Sequence, residues 1–413
     1  MSARRTKPTR AQRKDRDEAV LATLLCVALL STGCSSAAKC QHDEECAAGS
    51  YCSSEYGVCF ERLGYASALG AGPALAAGDA HTCAGTNAGG LRCWGANVDG
   101  RLGDGTTVDR LTATPVRDDG GELLGVEGVA TGAYHTCALL DGGAVRCWGW
   151  NQQGQVSGAP GAAVLSPAAV ASLGNMVALG LGQAHSCGLT VDGGIKCWGD
   201  NSQGQVGPWG ISADSSVAPS GSAVALASGS THACVVTREK RLFCWGGNSS
   251  GQANWRLTDG KPAAPSDLGL SEVESVAAGQ SHTCAVTSAH DVLCWGANNQ
   301  GQLGRTPSSG ANPASTPSLT GARAIAAGCD HTCALKLDGG VSCWGSRLDG
   351  GTATPTPVSS LPAAESLTAG CRHTCAFVRG AKGPAVYCWG DDGRGQLGDG
   401  TKQSSSVPIE TQF

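Results

Sequence analysis

His135–Gln155 reads HTCALLDGGAVRCWGWNQQGQ, with a histidine, two cysteines ten positions apart and a tryptophan among glycine-rich turn signals. Pairing Cys137 with Cys147 leaves Asp141-Gly142-Gly143 as a three-residue loop. That is a β-hairpin with glycine available for positive φ. Opposed residues of a non-hydrogen-bonded antiparallel pair have Cα atoms about 4.5 Å apart, a span that a disulfide tolerates. The stretch therefore predicts two neighbouring strands stapled by Cys137–Cys147. In the chain-entropy view a closed loop of this size is worth about 3 kcal/mol.

The same pattern returns seven times. Its histidine and first cysteine fall at His81/Cys83, His135/Cys137, His185/Cys187, His232/Cys234, His282/Cys284, His331/Cys333 and His373/Cys375. Its second cysteine, always followed by Trp-Gly, gives the expected pairs Cys83–Cys93, Cys187–Cys197, Cys234–Cys244, Cys284–Cys294, Cys333–Cys343 and Cys375–Cys388, the last with a longer tip. Successive first cysteines are 42 to 54 residues apart. One small sheet per unit at such a period predicts an all-β chain, a seven-bladed β-propeller over residues 66–413. Cys329 and Cys371 are additional, each four residues before its repeat's first cysteine. They are expected to tie blade six to blade seven, with two free thiols as the alternative. Closure is expected through the C-terminal SVPIE, residues 406–410, completing a blade with the N-terminal segment, because YASALGAGPALAAGDAH starts without an upstream Pro-containing strand.

The N-terminus sets the compartment. Residues 1–33 carry a basic start, an apolar stretch from Ala19 to Leu30 and small residues before Cys34, which reads as an export signal. The LSTGC ending resembles a lipoprotein lipobox, which implies lipidation of Cys34; a plain secretory signal is the alternative. A short uncleaved anchor is a weaker reading, since about 20 apolar residues are needed to span a bilayer. Of 22 cysteines, Cys26 leaves with the signal and Cys34 takes the lipid, leaving an even 20 for an oxidising compartment. Residues 34–62 form a small Cys-rich module in which Cys40, Cys46, Cys52 and Cys59 are expected to make two disulfides of undetermined pairing; zinc is the competing reading. Loss of residues 1–33 removes seven basic and three acidic residues and moves the net charge from −5 to −9. A chain this acidic lacks the basic face that nucleic acid requires.

The pattern AAG..HTCAL..DGGV.CWG.N..GQLGDG resembles the regulator of chromosome condensation repeat over residues 66–413, about 84% of the chain. The resemblance implies a seven-bladed propeller. The family's best-known member is a nucleotide-exchange factor for a small nuclear GTPase, and a propeller β-lactamase inhibitory protein of bacteria only binds its target. Export, acidity and the lack of a long inserted wedge between repeats weigh against exchange activity, and fold alone does not choose.

No catalytic residues, no metal and no cofactor are expected. Seven histidines at one repeat position read as parts that every blade needs, each making a hydrogen bond between neighbouring strands, and the Trp after each second cysteine reads as packing between sheets. A Cys-x9-Cys pair lacks the C-x-x-C spacing of reactive dithiols. The segment TVDGGIKCW, Thr190 to Trp198, comes one residue too long for a sialidase Asp-box, so a glycan-active enzyme is a remote alternative.

Function is then expected where repeats differ. Trp150, Trp209 and Trp255 lie outside the repeat position in consecutive repeats, where the Gly-Gln-Leu-Gly segment also degrades. They are the candidate partner-binding residues for a protein or glycan, the alternative being that they fill loops. The expected protein is a non-catalytic scaffold of the cell envelope, lipid-anchored at the outer membrane or cell surface, or secreted. It is expected to be monomeric and to touch membrane only through the lipid.

Overall fold

The hairpin forms as its spacing requires: His135–Leu140 pairs antiparallel with Val145–Gly149, Cys137 stands opposite Cys147, and Asp141–Gly143 makes the turn. The computed structural model describes residues 50–53, 58–61, 74–119, 121–171, 173–208, 222–257, 259–307, 318–346, 350–380 and 383–413. The chain divides into two units, residues 1–63 and 64–413. In the first, Ser50–Ser53 pairs with Val58–Glu61, with the backbone of Cys52 opposite that of Cys59. Cys34, Cys40, Cys46 and the signal segment lie outside the described residues.

Among the described residues the second unit contains seven antiparallel blade sheets, each built from one contiguous repeat, and a two-stranded ribbon of Arg117–Asp118 with Gly121–Glu122. In blade two the inner strand is Val126–Thr131, the hairpin follows, and Val164–Ala169 forms the outer edge. Blades three and five have three strands among the described residues, and the other five blades have four. The inner strands pack successively round the axis until Ala364–Ala369 of blade seven meets Leu75–Ala77 of blade one. The result is a closed seven-bladed β-propeller.

Closure differs from the sequence expectation. Ser405–Glu410 pairs with Gly383–Gly390 of its own repeat, with Ile409 opposite Cys388. Blade one has its own inner strand, Leu75–Ala77, paired with His81–Gly85. In the five blades whose outer strand is described, the Pro-containing strand follows its own hairpin as the outer edge, the C-terminal strand among them. The seam is held instead by contacts between complete blades. Cys371 N–H donates to Gly78 O at 3.1 Å, Ala113 N–H to Gln412 O at 3.2 Å, and Phe413 stands edge-on to Trp94 at 6.0 Å.

The core lies between blades. Seven buried apolar clusters occupy the seven junctions, and each holds the Trp-Gly tryptophan of one blade packed on the cysteines and aliphatic residues of the blade before it. Five of these indoles, Trp94, Trp148, Trp245, Trp295 and Trp344, are fully buried. Burying an aromatic of this size contributes on the order of 3 kcal/mol. The glycine of each AAG segment sets how close the blades approach. A Cβ on Gly78, Gly132, Gly182, Gly229, Gly279, Gly328 or Gly370 would lie 2.3–2.5 Å from the carbonyl oxygen of the corresponding glycine in the next blade, in an unbroken cycle. Only glycine fits there.

Candidate interaction face

A belt of side chains ties the blades together below this face. Six of the seven junctions repeat one arrangement, in which the histidine Nε2 of one blade meets the hydroxyl just after the next blade's histidine; the seventh has Ala233 in place of the hydroxyl. The pairs are His81–Thr136, His135–Ser186, His232–Thr283, His282–Thr332, His331–Thr374 and His373–Thr82, at 2.8–2.9 Å. In five junctions that hydroxyl in turn donates to a backbone carbonyl of the preceding blade's loop, at Gln396, Arg101, Gln155, Gln252 and Gln302. Since the hydroxyl proton is committed, Nε2 carries its own proton and donates. The histidine bond thus joins neighbouring blades, where the sequence reading had placed it between neighbouring strands. Burial holds these rings neutral: His135, His232, His282 and His373 are pushed down to about 3 and His185 to about 4.

The loop that supplies the carbonyl is the Gly-Gln-Leu-Gly segment. The Gln side chain folds back so that its Oε1 accepts the backbone N–H two residues earlier, as Gln155 does from Gln153. An Asn before it accepts from the residue five positions on, as Asn151 does from Val156. So braced, the loop presents one carbonyl, which also accepts the indole Nε1–H of the next blade at 2.8–3.0 Å in six junctions. The repeat residues are therefore consumed in architecture.

The loops carrying this belt open onto one face. There the dipeptide between each AAG glycine and its histidine lies beside the residue after Trp-Gly, as Trp150 N–H donating to Tyr134 O at 3.0 Å records. These dipeptides vary freely: Asp79-Ala80, Ala133-Tyr134, Gln183-Ala184, Ser230-Thr231, Cys329-Asp330 and Cys371-Arg372 are examples. Trp150 is half-buried and stands edge-on to Tyr134 at 5.7 Å, and Arg101 covers the Tyr134 ring at 5.0 Å. With Gln153, Gln183, Asp200 and Ser230 it lines a depression of about 420 Å³ shared by blades two, three and four. Ser230 Oγ donates to Gln183 Oε1 at 2.8 Å, while Asp200 accepts from Ser202 and Gln205. An aromatic wall, two amides and a carboxylate suit a polar ligand with an apolar face.

Trp255 goes elsewhere. It stands edge-on to Trp295 at 5.2 Å, carries Arg256 over its ring and packs on the core between blades four and five, so it fills its loop. Trp209 lies outside the described residues. The variable dipeptides supply half of the residues that line the depression, and they carry no single residue type that would mark them in the sequence.

The eight cysteine pairs of this unit are brought together: Cys83–Cys93, Cys137–Cys147, Cys187–Cys197, Cys234–Cys244, Cys284–Cys294, Cys333–Cys343 and Cys375–Cys388 within blades, and Cys329–Cys371 between blades six and seven. Such a density of disulfides belongs to an oxidising environment. Asp79 sits beside Cys329 and Cys371, and burial pushes its carboxyl above the usual carboxylate range. Those sulfurs are bonded to each other. Among the described residues no helix is long and apolar enough to cross a membrane.

Fold, belt and loop define the class: a closed propeller of seven blades, six of them plugged into the next through a loop of the Gly-Gln-Leu-Gly type. The RCC1-like domain profile matches residues 66–353, the regulator of chromosome condensation (RCC1) repeat matches residues 385–413, and the chain belongs to this RCC1-like family. The ultraviolet-B receptor UVR8 of Arabidopsis thaliana is 36% identical over 110 residues, which is 26% of this chain and only 24% of that receptor. Among solved structures, yeast RCC1 (Prp20) bound to Kap60 aligns with a TM-score of 0.67 at 20% identity, covering 93% of this chain and 90% of that one. Human WBSCR16 aligns with a TM-score of 0.67 at 20% identity over 78% of this chain and 93% of that one. The CRINKLY WD40 ectodomain of the receptor kinase ACR4 of Arabidopsis thaliana aligns with a TM-score of 0.52 at 20% identity, over 83% and 99%. At these identities the likeness is one of fold.

Proposed function

We propose that this protein is a non-catalytic binding scaffold of the cell envelope, exported by residues 1–33, anchored by lipid on Cys34 or secreted, that recognises a protein or glycan partner on the Trp150 face. The half-buried indole at the rim of a polar depression carries the reading, because it departs from the repeat and lies beside variable polar side chains rather than in the core between blades. Loops on a rigid frame are where binding residues concentrate. Disulfides in every blade support a life outside the cytoplasm, and the relatives' ectodomain and partner-bound structures are compatible with a binding role. Trp255 contributes to the shape of its loop and has no place in the proposed contact.

Affinity capture from the cell envelope, with the protein and its Trp150→Ala variant as baits and a glycan panel in parallel, tests the reading. A partner retained by the parent and lost by the folded variant supports it. Equal capture by both, or a cytosolic and reduced pool on fractionation, counts against it.

A further inference from the structure

Blades one and seven carry the same loop with different charges. Gly95–Arg110 and Gly390–Ser405 align residue for residue. Both keep a turn in which a threonine N–H and hydroxyl donate to the carboxylate two places earlier, Thr106 to Asp104 and Thr401 to Asp399, at 2.8–3.0 Å. In blade one that carboxylate meets two further donors. Asn97 Nδ2 lies 3.0 Å from Asp104 Oδ1 and 3.1 Å from the carbonyl of Thr106, and Arg110 Nε lies 2.7 Å from Asp104 Oδ2. Blade seven has neither, because Asp392 stands in place of the asparagine and Ser405 in place of the arginine.

One anion and one cation in blade one thus become two anions in blade seven. Asp392 is fully buried; its Oδ1 accepts from the Leu397 N–H at 2.8 Å, and its Oδ2 has no hydrogen-bond partner. The Thr401 hydroxyl near it is already committed to Asp399. After burial itself, the charges that act on Asp392 are those of Asp399 and Asp391, both negative. Of the basic residues in this loop, Arg394 pairs with Asp109 of blade one at 3.2 Å and Lys402 is exposed. A buried carboxylate set among acceptors needs either a proton or a cation.

We propose that the loop of blade seven is a calcium site, in which the carboxylates of Asp392 and Asp399 and the main-chain carbonyl of Thr401 hold the ion where blade one places an asparagine amide and an arginine guanidinium. Two carboxylates match the charge of a divalent cation. The blade-one spacings of 3.0 and 3.1 Å are those of neighbouring oxygens in a calcium shell, whose ligands lie at about 2.3–2.6 Å from the ion. Mixed carboxylate and carbonyl oxygens on a half-buried loop, with water completing the shell, suit calcium better than the strict octahedron of magnesium. The same loop presents the Gln396 carbonyl to Trp94 Nε1 and to the Thr82 hydroxyl, at the seam where the last blade meets the first. An ion that braces this loop therefore braces ring closure. The site draws on none of the residues of the Trp150 depression, so it does not depend on the binding reading.

The test titrates calcium chloride calorimetrically into the chelator-treated full chain and follows thermal unfolding with calcium, magnesium or potassium at matched ionic strength. The expected result is saturable calcium binding with Kd of about 10⁻⁴–10⁻³ M, the range of extracellular calcium modules. Near saturation Tm should rise by about 2–4 °C, most with calcium and not at all with potassium. Asp392→Asn restores the residue that blades one to five carry, so this variant folds. It should lose both the binding and the Tm shift, and any stability advantage it has over the parent in chelator should shrink as calcium is added. Ser405→Arg, which brings back the guanidinium of blade one, should lose them as well. Absence of binding, binding undiminished in Asp392→Asn, a larger response to magnesium, or a Tm gain no greater with calcium than with potassium overturns the proposal.

Discussion

His81 Nε2 lies 2.9 Å from Thr136 Oγ1, a hydroxyl fifty-five residues away that in turn donates to the carbonyl of Arg101 in the loop of blade one. The bond crosses from one sheet to the next, and its repetition makes ring integrity depend on neutral imidazoles.

Acid should open the ring through these histidines. Their folded values of about 3 to 4 lie below the ordinary 6.5, so the unfolded chain binds more protons between those limits. Stability is then complete above pH 6.5 and falls as pH drops toward 3, by up to about 1.4 kcal/mol per pH unit for each group. Urea unfolding from pH 7.5 to 4.5 measures it, and replacing one belt histidine by Gln should lower the slope by about one proton. A flat profile between pH 6 and 5 is incompatible with buried neutral rings.

Ala233→Thr should stabilise the ring. His185 is the belt histidine whose Nε2 and Nδ1 are both buried without a partner, because Ala233 stands where the other repeats carry Thr or Ser. A hydroxyl there would accept from His185 and donate to the carbonyl of Gln205, which now receives only the Trp245 indole. One recovered buried hydrogen bond is worth about 1 kcal/mol. A higher urea midpoint at unchanged m is expected, and a lower midpoint would show that the junction has no room.

Asp392→Asn should stabilise at neutral pH. In repeats one to five an Asn accepts from the backbone five residues on, and in four of them it donates Nδ2–H to a loop carbonyl, as Asn97 does to Thr106 and Asn298 to Thr306. Asp392 keeps the first bond, to Leu397, but its Oδ2 is buried without a partner. Burial, with the charges of Asp399 and Asp391, raises its carboxyl from 3.8 to about 6. The stability linked to this proton is complete below pH 3.8 and lost as pH rises through 6. The variant should therefore gain about 1–3 kcal/mol over the parent at pH 8, with the gap closing toward pH 4. A gap independent of pH would refute the assignment.

Mild reduction should cut one disulfide first. The fourteen cysteines of the intrablade pairs are at most 1% exposed, whereas Cys329 and Cys371 are half-buried at the face. Limited treatment with a dithiol followed by alkylation and mass spectrometry should label Cys329 and Cys371 before any other cysteine of the ring. Removing both by substitution opens a loop with a sequence separation of 42 and should cost about 4 kcal/mol.

The hairpins, the cysteine partners and the number of blades were legible because they are local: a fixed spacing places Cys137 opposite Cys147 whatever the rest of the chain does. Closure was misread for want of phase. Val407 and Ile409 alternate as an edge strand should, but nothing in that alternation says which neighbour the strand joins, and the preceding Cys-Trp-Gly strand wins by proximity. The role of His81 was half visible. Its need for a partner could be guessed, yet the partner is one repeat away, and the clue was a hydroxyl residue after every repeat histidine except His232. Trp150 and Trp255 look alike as departures from the pattern. Only packing separates them, since Trp255 lies against Trp295 and Trp150 at the rim of a depression.

In six junctions the loop reaches forward onto the following sheet, from the Gln396 carbonyl to Trp94, from Arg101 to Trp148 and likewise to Trp198, Trp245, Trp295 and Trp344. The ring consequently has a sense of rotation, like tiles overlapped in one direction. Duplicating or deleting a whole repeat leaves every overlap matched, so chains of this kind can gain or lose blades in evolution without redesigning any single joint.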